Sequence, residues 1–491
     1  MYQIAGFKNM KTFKHRIATV DIDALPGTLY LHDVSDYIGI QVLSPTALPL
    51  FYYNQISHSL KCLGADNYSI SQDGCTYKIT IRNDLFWSDG TKVTAEDYVR
   101  GFFAVINSKH NIYRILLKDI VNYGKFIKDK NENNIGIEAV GRKIIFRLIH
   151  PNNLFIIFLS TINFSPKHHS EVMLAAGAYN IDKVTENGII LSRNPFFTLA
   201  KSNPTIEVDY IHYIKPTSRY ESLQQYEQKQ LDITCNTMFP YEQLPKFKER
   251  KDFYQEPSNI FMILRKEKKC NPILEEKVFR QAILFSLNRA NLCANFHYAL
   301  TPMTDFLFDS NMSQNILSPI VDNLYNSELA ADLFHLLFSI YNIKDVRLKV
   351  AFDDYFPNKE VLELLAIELK SYNIYLELIQ DNFLTPSKSA DLRLHLLTSP
   401  VYHPFPIYLK EAYDHDFIKN DTWKTYIALL ESYHKCNDDD KKQQILEVIN
   451  TALISEAFII PLFKMQSLYL KRDGLENFKF VPGKIWIKEE R

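Results

Sequence analysis

Chemistry at neutral pH needs an activated nucleophile, a metal with convergent ligands or a backbone cradle for phosphate, and each leaves its own spacing in a sequence. The chain carries no GxSxG elbow, no HExxH pair and no glycine-rich phosphate loop, and its 14 glycines leave little material for one. His168 and His169 are adjacent, and neighbours on an extended chain point to opposite faces, so they read as loop or surface residues rather than metal ligands. His403 and His415 are scattered and make no better metal site. Cys62, Cys75, Cys235, Cys270, Cys293 and Cys436 form no CxxC pair; their scatter fits neither zinc nor a disulfide framework, and most read as small buried hydrophobes. No catalytic residue, metal or cofactor is expected. The remaining chemistry is binding. A cleft that encloses a small solute needs a few convergent polar groups among apolar and aromatic walls. The 29 Tyr and 33 Phe supply wall material, although packing is the ordinary use of any one ring.

The elements that would position such a cleft follow from length and pattern. A chain of 491 residues exceeds one ordinary core and predicts two to four domains or lobes. A formal net charge of −1 gives no electrostatic reason to expect nucleic acid. The longest purely apolar run, residues 154–159, is far below the roughly 20 residues of a membrane span. Lys8, Lys11, Lys14 and Arg16 could open an export signal, but Ile17 to Val20 is too short for an apolar region of about 7–15 residues, and Asp21 and Asp23 follow at once. No export signal is visible.

The most specific stretch runs from Ser71 to Phe102. Asp73-Gly74 is a turn signal. Cys75, Tyr77, Ile79 and Ile81 then alternate with Thr76, Lys78, Thr80 and Arg82, as in a half-buried strand. Phe86-Trp87 leads into the turn Ser88-Asp89-Gly90. Thr94 is placed to cap a helix beginning near Ala95, with Asp97 in the capping-box position. Trp87 is expected to be buried.

Strand, aromatic turn and capped helix in this order resemble the signature of the family 5 bacterial extracellular solute-binding proteins, which carry peptides, dipeptides or nickel to membrane transporters. The resemblance continues in Gly177-Ala178-Tyr179, in Arg193-Asn194-Pro195 after a hairpin signal at Asn187-Gly188, and in Leu231-Asp232-Ile233. Arg280-Gln281-Ala282 with Asn288-Arg289 extends it along one expected helix over 271–292, and Phe458 to Phe463 is a return strand. Strands at 346–351 and 374–379 flank a helix at 360–370. What the resemblance implies is an α/β, two-lobed periplasmic-binding-protein-like fold of type II, the large peptide-binding class, with an extra subdomain on lobe I. Lobe I would comprise 1–39, 175–262 and 466–491, the signature subdomain 40–174, and lobe II 263–465.

In peptide-binding members a carboxylate near a tryptophan holds the ligand's α-amino group. The matching segment here is 391–404, in which Pro400 takes the place of the acid and Leu397 that of the tryptophan. An ammonium buried without its counter-charge costs several kcal/mol, so standard peptide capture is in question. Arg265 stands where the family usually has asparagine, at the end of the strand Phe261 to Leu264, and a guanidinium there suits a carboxylate or phosphate. With Tyr402 and His403 it forms the expected ligand-binding set, Tyr402 as a ring and hydroxyl and His403 as a switchable donor. A lost acid and a gained base point to an anionic ligand.

The resemblance therefore implies a monomeric, non-enzymatic solute receptor of an ABC-type importer. It would lie outside the cytoplasm, bind a short peptide or small molecule, and dock on a membrane permease. The alternative is a cytoplasmic ligand sensor related to transcription regulators that carry a family 5 domain, although residues 1–60 show no pair of basic amphipathic helices.

Overall fold

The computed structural model describes residues 16–54, 59–109, 111–170, 172–197, 208–215, 218–297, 299–303, 324–381, 389–401, 403–414, 421–436, 438–475 and 478. The expected signature at 71–102 forms as read. Gly74 adopts φ +69° to close the turn on Ser71, and Thr76–Ile81 follows as a strand with Tyr77, Ile79 and Ile81 buried. It lies between Ala65–Ile70 and Lys143–Arg147, with Ile137–Val140 beyond, in an antiparallel four-stranded sheet. Gly90, at φ +87°, closes the second turn on Trp87. Thr94 then caps the helix Ala95–Asn107 in a reciprocal box with Asp97. That helix sets Phe102 edge-on against Phe146, with ring centroids 5.0 Å apart.

A second sheet has the order Ile17–Asp21, Tyr210–Ile214, Gly188–Arg193, Tyr179–Thr185. Its first pair is parallel, joining residues nearly 200 positions apart, with Ile17 opposite Tyr210. The expected hairpin is present but turns one residue earlier, since Thr185 pairs with Gly188 and the loop is Glu186-Asn187. Gly188 is needed there for space rather than for a positive φ. A Cβ on it would come within 2.2 Å of the Tyr213 carbonyl on the neighbouring strand.

The third sheet is mixed and six-stranded, in the order Leu300–Pro302, Ile459–Leu470, Phe253–Lys266, Leu392–Thr398, Val346–Asp353, Ile374–Asp381. Its helices Asn358–Lys370 and Ser327–Tyr341 bury apolar stripes. The 271–292 segment is not one helix. A 3₁₀ turn at Pro272–Glu275 and a helix Lys277–Ser286 end at Leu287, and Asn288 caps a new helix, Arg289–Asn295. Arg289 therefore starts the second helix, and its buried guanidinium donates to the Pro461 carbonyl at 2.7 Å.

Two strands belong to more than one neighbourhood. Phe253–Lys266 and Ile459–Leu470 run antiparallel from the Phe253–Leu470 pair to the Arg265–Ile459 pair, with register shifts between Pro257 and Phe261 and between Met262 and Ile263. At about 3.3 Å per residue the 14-residue strand reaches roughly 45 Å. Beyond its Leu470 end, Lys471 bridges to Ile233, which in turn bridges to Val20 of the second sheet. The expected lobe boundaries at 262/263 and 465/466 both fall inside these two strands.

All six cysteines are free, but only Cys235 and Cys293 are buried; Cys62 is exposed and the other three are partly exposed. The reading of most cysteines as core residues is thus corrected. Alternating strand positions such as Cys75 look apolar without being enclosed.

Candidate functional site

Arg265 lies near the Lys266 end of its strand, opposite Arg393 on one side and Ile459 on the other. Its Nη2 is 3.4 Å from Oε2 of Glu411, whose side chain is fully buried, and Lys410 approaches the other oxygen at 3.7 Å. Arg393 is neutralised by Glu267 at 2.9 Å and Asp381 at 2.8 Å. His395, on the neighbouring strand, is pushed down to about 3 by burial and then by the Lys410 and Arg265 charges. The positive charge of this wall is thus matched by carboxylates of the protein itself.

His403 takes a different part from the one expected. It sits two residues before the helix Phe405–Asp414, and its Nδ1 accepts the Phe405 N–H at 3.1 Å. A ring that accepts at Nδ1 is the neutral tautomer with its proton on Nε2, which lies 3.0 Å from the Tyr433 hydroxyl. Burial pushes the imidazole down to about 3. The ring is a neutral strut between a helix start and Tyr433, because the His-Pro-Phe order places it at a helix entry. Tyr402 and His415 lie outside the described residues. Pro400 occupies the bend after Leu392–Thr398, and Leu397 is buried in that strand opposite Phe261.

A polar cluster that sequence reasoning missed gathers where the two long strands meet the second sheet. Asp23 follows the strand Ile17–Asp21, and its Oδ2 accepts from the Thr237 hydroxyl at 2.5 Å. Asp36 caps the helix Tyr37–Leu43 by accepting the Gly39 N–H at 2.7 Å. The Tyr37 hydroxyl receives the Asn236 amide at 2.7 Å, and Asn236 also reaches Ser467 on the long strand at 3.0 Å. Tyr355, just past the strand Val346–Asp353, is close enough to feel the carboxylates of Asp23, Asp353 and Asp36. Tyr113, from the short helix Ile112–Leu117, feels Asp36 and lies beside Thr398.

The electrostatics of this cluster are one-sided. Burial raises Asp23 to about 6, and the Asp36 charge adds to that; Asp36 is raised by its own burial. Asp21 is fully buried and held well above the carboxylate range, with Asp23 reinforcing the effect. Several polar atoms here have no hydrogen-bond partner: Asp23 Oδ1, both amide atoms of Gln41, and the Tyr113 hydroxyl, whose side chain is 4% exposed. Gln41 lies one helical turn from Tyr37 and so shares its face. The only sequence signals for this site were the Asp21-Asp23 spacing and Asp36 standing before an apolar helix.

Among the described residues no group of three or more His, Cys, Asp or Glu is arranged to hold a metal, and no helix is long and apolar enough to cross a membrane. His168 instead packs edge-on against Trp87, and its Nδ1 contacts the Ser170 hydroxyl at 2.6 Å.

Residues 62–388 match the family model described as bacterial extracellular solute-binding proteins, family 5 middle. A curated binding protein of Haemophilus influenzae is 21% identical over 323 residues, which are 63% of this chain and 56% of that protein, so the chain spans about half of that relative. The fold is similar to that of the periplasmic oligopeptide-binding protein of Borrelia burgdorferi (TM-score 0.83, 19% identity, 96% of this chain and 98% of that one). It is also similar to the murein tripeptide binding protein of Escherichia coli (TM-score 0.81, 17% identity, 94% and 95%).

Proposed function

The chain belongs to the bacterial extracellular solute-binding proteins of family 5, and from that premise we propose that it is the solute-binding receptor of an ABC-type importer. It encloses a peptide-like or other small polar ligand between two lobes and delivers it to a membrane permease, as a monomer and without turnover. The supporting observation is the polar cluster of Asp23, Asp36, Tyr37, Tyr113 and Tyr355. These residues come from four separate segments and meet where two long strands run between sheets. Convergent polar groups between two bodies are the ordinary form of a small-ligand site, and rocking of such bodies about a few crossing segments is the ordinary form of closure.

In this reading lobe I comprises 1–39, 175–262 and 466–491, the signature subdomain 40–174, and lobe II 263–465. The proposed ligand-binding residues Arg265, Tyr402 and His403 fall within the lobe II range, with Arg265 as the fixed cation beside Glu411. The protein works outside the cytoplasm.

Thermal unfolding with a library of short peptides tests the proposal. A ligand at a hundredfold excess over Kd should stabilise the protein by about 2.7 kcal/mol. The absence of a shift across peptides, amines and nickel complexes, or a protein confined to the cytosol on cell fractionation, would overturn the importer role.

A further inference from the structure

Resting on the solute-binding reading, we infer that the cleft takes a ligand bearing an organic cation, and that its ammonium group seats between Asp23 and Asp36 on the lobe I wall. This reverses the charge expected from the sequence, and the reason is the fate of each wall's charges. On the lobe II side, Arg265 and Lys410 face Glu411, and Arg393 faces Glu267 and Asp381. On the lobe I side, no cation among the described residues is placed against Asp23 or Asp36. The unmatched charge of the cleft is negative.

The geometry around Asp23 is that of a half-filled acceptor. Thr237 fixes Oδ2 and so orients the carboxylate, while Oδ1 is buried and bonded to nothing. Asp36 is oriented likewise, by the Gly39 N–H on Oδ1. An ammonium has three donors and needs three acceptors around it. Asp23 and Asp36 supply two, and the Tyr113 hydroxyl is an independent third. It is enclosed by protein, lacks a partner and lies in the field of Asp36. Asp23, Asp36 and Tyr37 are surrounded by protein yet each keeps some accessible surface, which is how residues lining an internal space behave. Among the described residues no group of three or more His, Cys, Asp or Glu is arranged to hold a metal, which favours an organic cation over a metal ion. The amine anchor lost at Pro400 is thus supplied from the opposite lobe.

Calorimetry at pH 7.5 on the full chain tests this with trialanine and trileucine, each with a free and an N-acetylated amino terminus, and with cadaverine and nickel chloride. Free-amine peptides should bind at least tenfold more tightly than their acetylated forms. Asp23→Asn should lose at least tenfold for the free-amine probes while leaving the melting temperature of the unliganded protein unchanged or higher. Asp36→Asn, which keeps an oxygen for Gly39, is the second variant should the first fold poorly. Equal binding of free and acetylated peptides would overturn the ammonium site and leave the receptor reading intact. Stabilisation by nickel alone, lost in Asp23→Asn, would replace the organic cation by a metal. If no probe binds, both readings fall together.

Discussion

The indole N–H of Trp87 donates to Oδ2 of Asp97 at 3.3 Å, the same oxygen that accepts the Thr94 N–H at 2.8 Å. One carboxylate therefore ties the aromatic turn to the helix it precedes, and Arg100 closes on its other oxygen. Trp87 is 2% exposed. Trp87→Ala should cost about 3–5 kcal/mol in urea denaturation, from lost packing and the cavity left behind. A loss below about 1 kcal/mol would show that the ring is not a core element.

That unit was legible because its determinants are local. Turn glycines, alternation and a capping box all lie within 32 residues, and each acts on its immediate neighbours. The polar cluster was not legible for the opposite reason: Asp23, Asp36, Tyr113, Asn236, Tyr355 and Ser467 meet only after the sheets assemble. Arg265 shows the intermediate case. Its strand was readable, but its partner Glu411, 146 positions later, was not, and the partner decides what the charge does. His403 shows how a residue type misleads, since an imidazole suggests a proton switch until a backbone N–H is found on its Nδ1.

The Arg265–Glu411 pair makes a stability prediction. Removing the cation leaves a fully buried carboxylate with the Lys410 ammonium 3.7 Å away. Arg265→Met should cost about 3–5 kcal/mol, and adding Glu411→Gln should recover a large part of it. Additive losses in the double variant, measured by denaturant titration, would show that the two side chains are not coupled.

The buried histidines set the acid limb of stability. His395, His403 and His434 are each held at about 3 and His32 at about 4, chiefly by burial, against about 6.5 in the unfolded chain. Below pH 6.5 the unfolded state takes protons that the native state refuses. Stability should therefore fall as pH drops from 6.5 toward 4, by up to about 1.4 kcal/mol per pH unit for each such ring. His403→Gln should shallow this slope in melting curves, and ligand affinity should not track a His403 titration between pH 5 and 8. An unchanged slope would mean that the ring is accessible to protons in the native state.

Asp23 predicts the opposite trend for binding. Its carboxyl, at about 6, faces Asp21, Asp36, Tyr37, Cys235, Tyr355 and Thr237 and no cation among the described residues. Being raised above its unfolded value, it favours the folded state below about pH 4, and that contribution is lost as pH climbs through 6. A bound ammonium reverses the loss by favouring the ionised form. Affinity for trialanine should rise from pH 5 to 7 and flatten in Asp23→Asn. A flat wild-type profile would place the titrating acid elsewhere.

The placement of Ile459–Leu470 has a consequence for how the molecule is built. In the six-stranded sheet this strand is interior, with Leu300–Pro302 on one flank and Phe253–Lys266 on the other. Until it arrives, Phe253–Lys266 presents an open hydrogen-bonding edge with Phe261, Met262, Ile263 and Leu264 in its middle, a surface that invites pairing with other chains. A polypeptide emerging from its N-terminus must hold that edge for some 200 residues of further synthesis before its partner exists. Loop closures of this span make for slow, aggregation-exposed assembly. The first strand compounds the delay, since Ile17–Asp21 waits for Tyr210–Ile214. The second sheet can therefore close once Tyr210–Ile214 has emerged, whereas the six-stranded sheet must wait about 245 residues more for Ile459–Leu470, so the two sheets are completed one after the other.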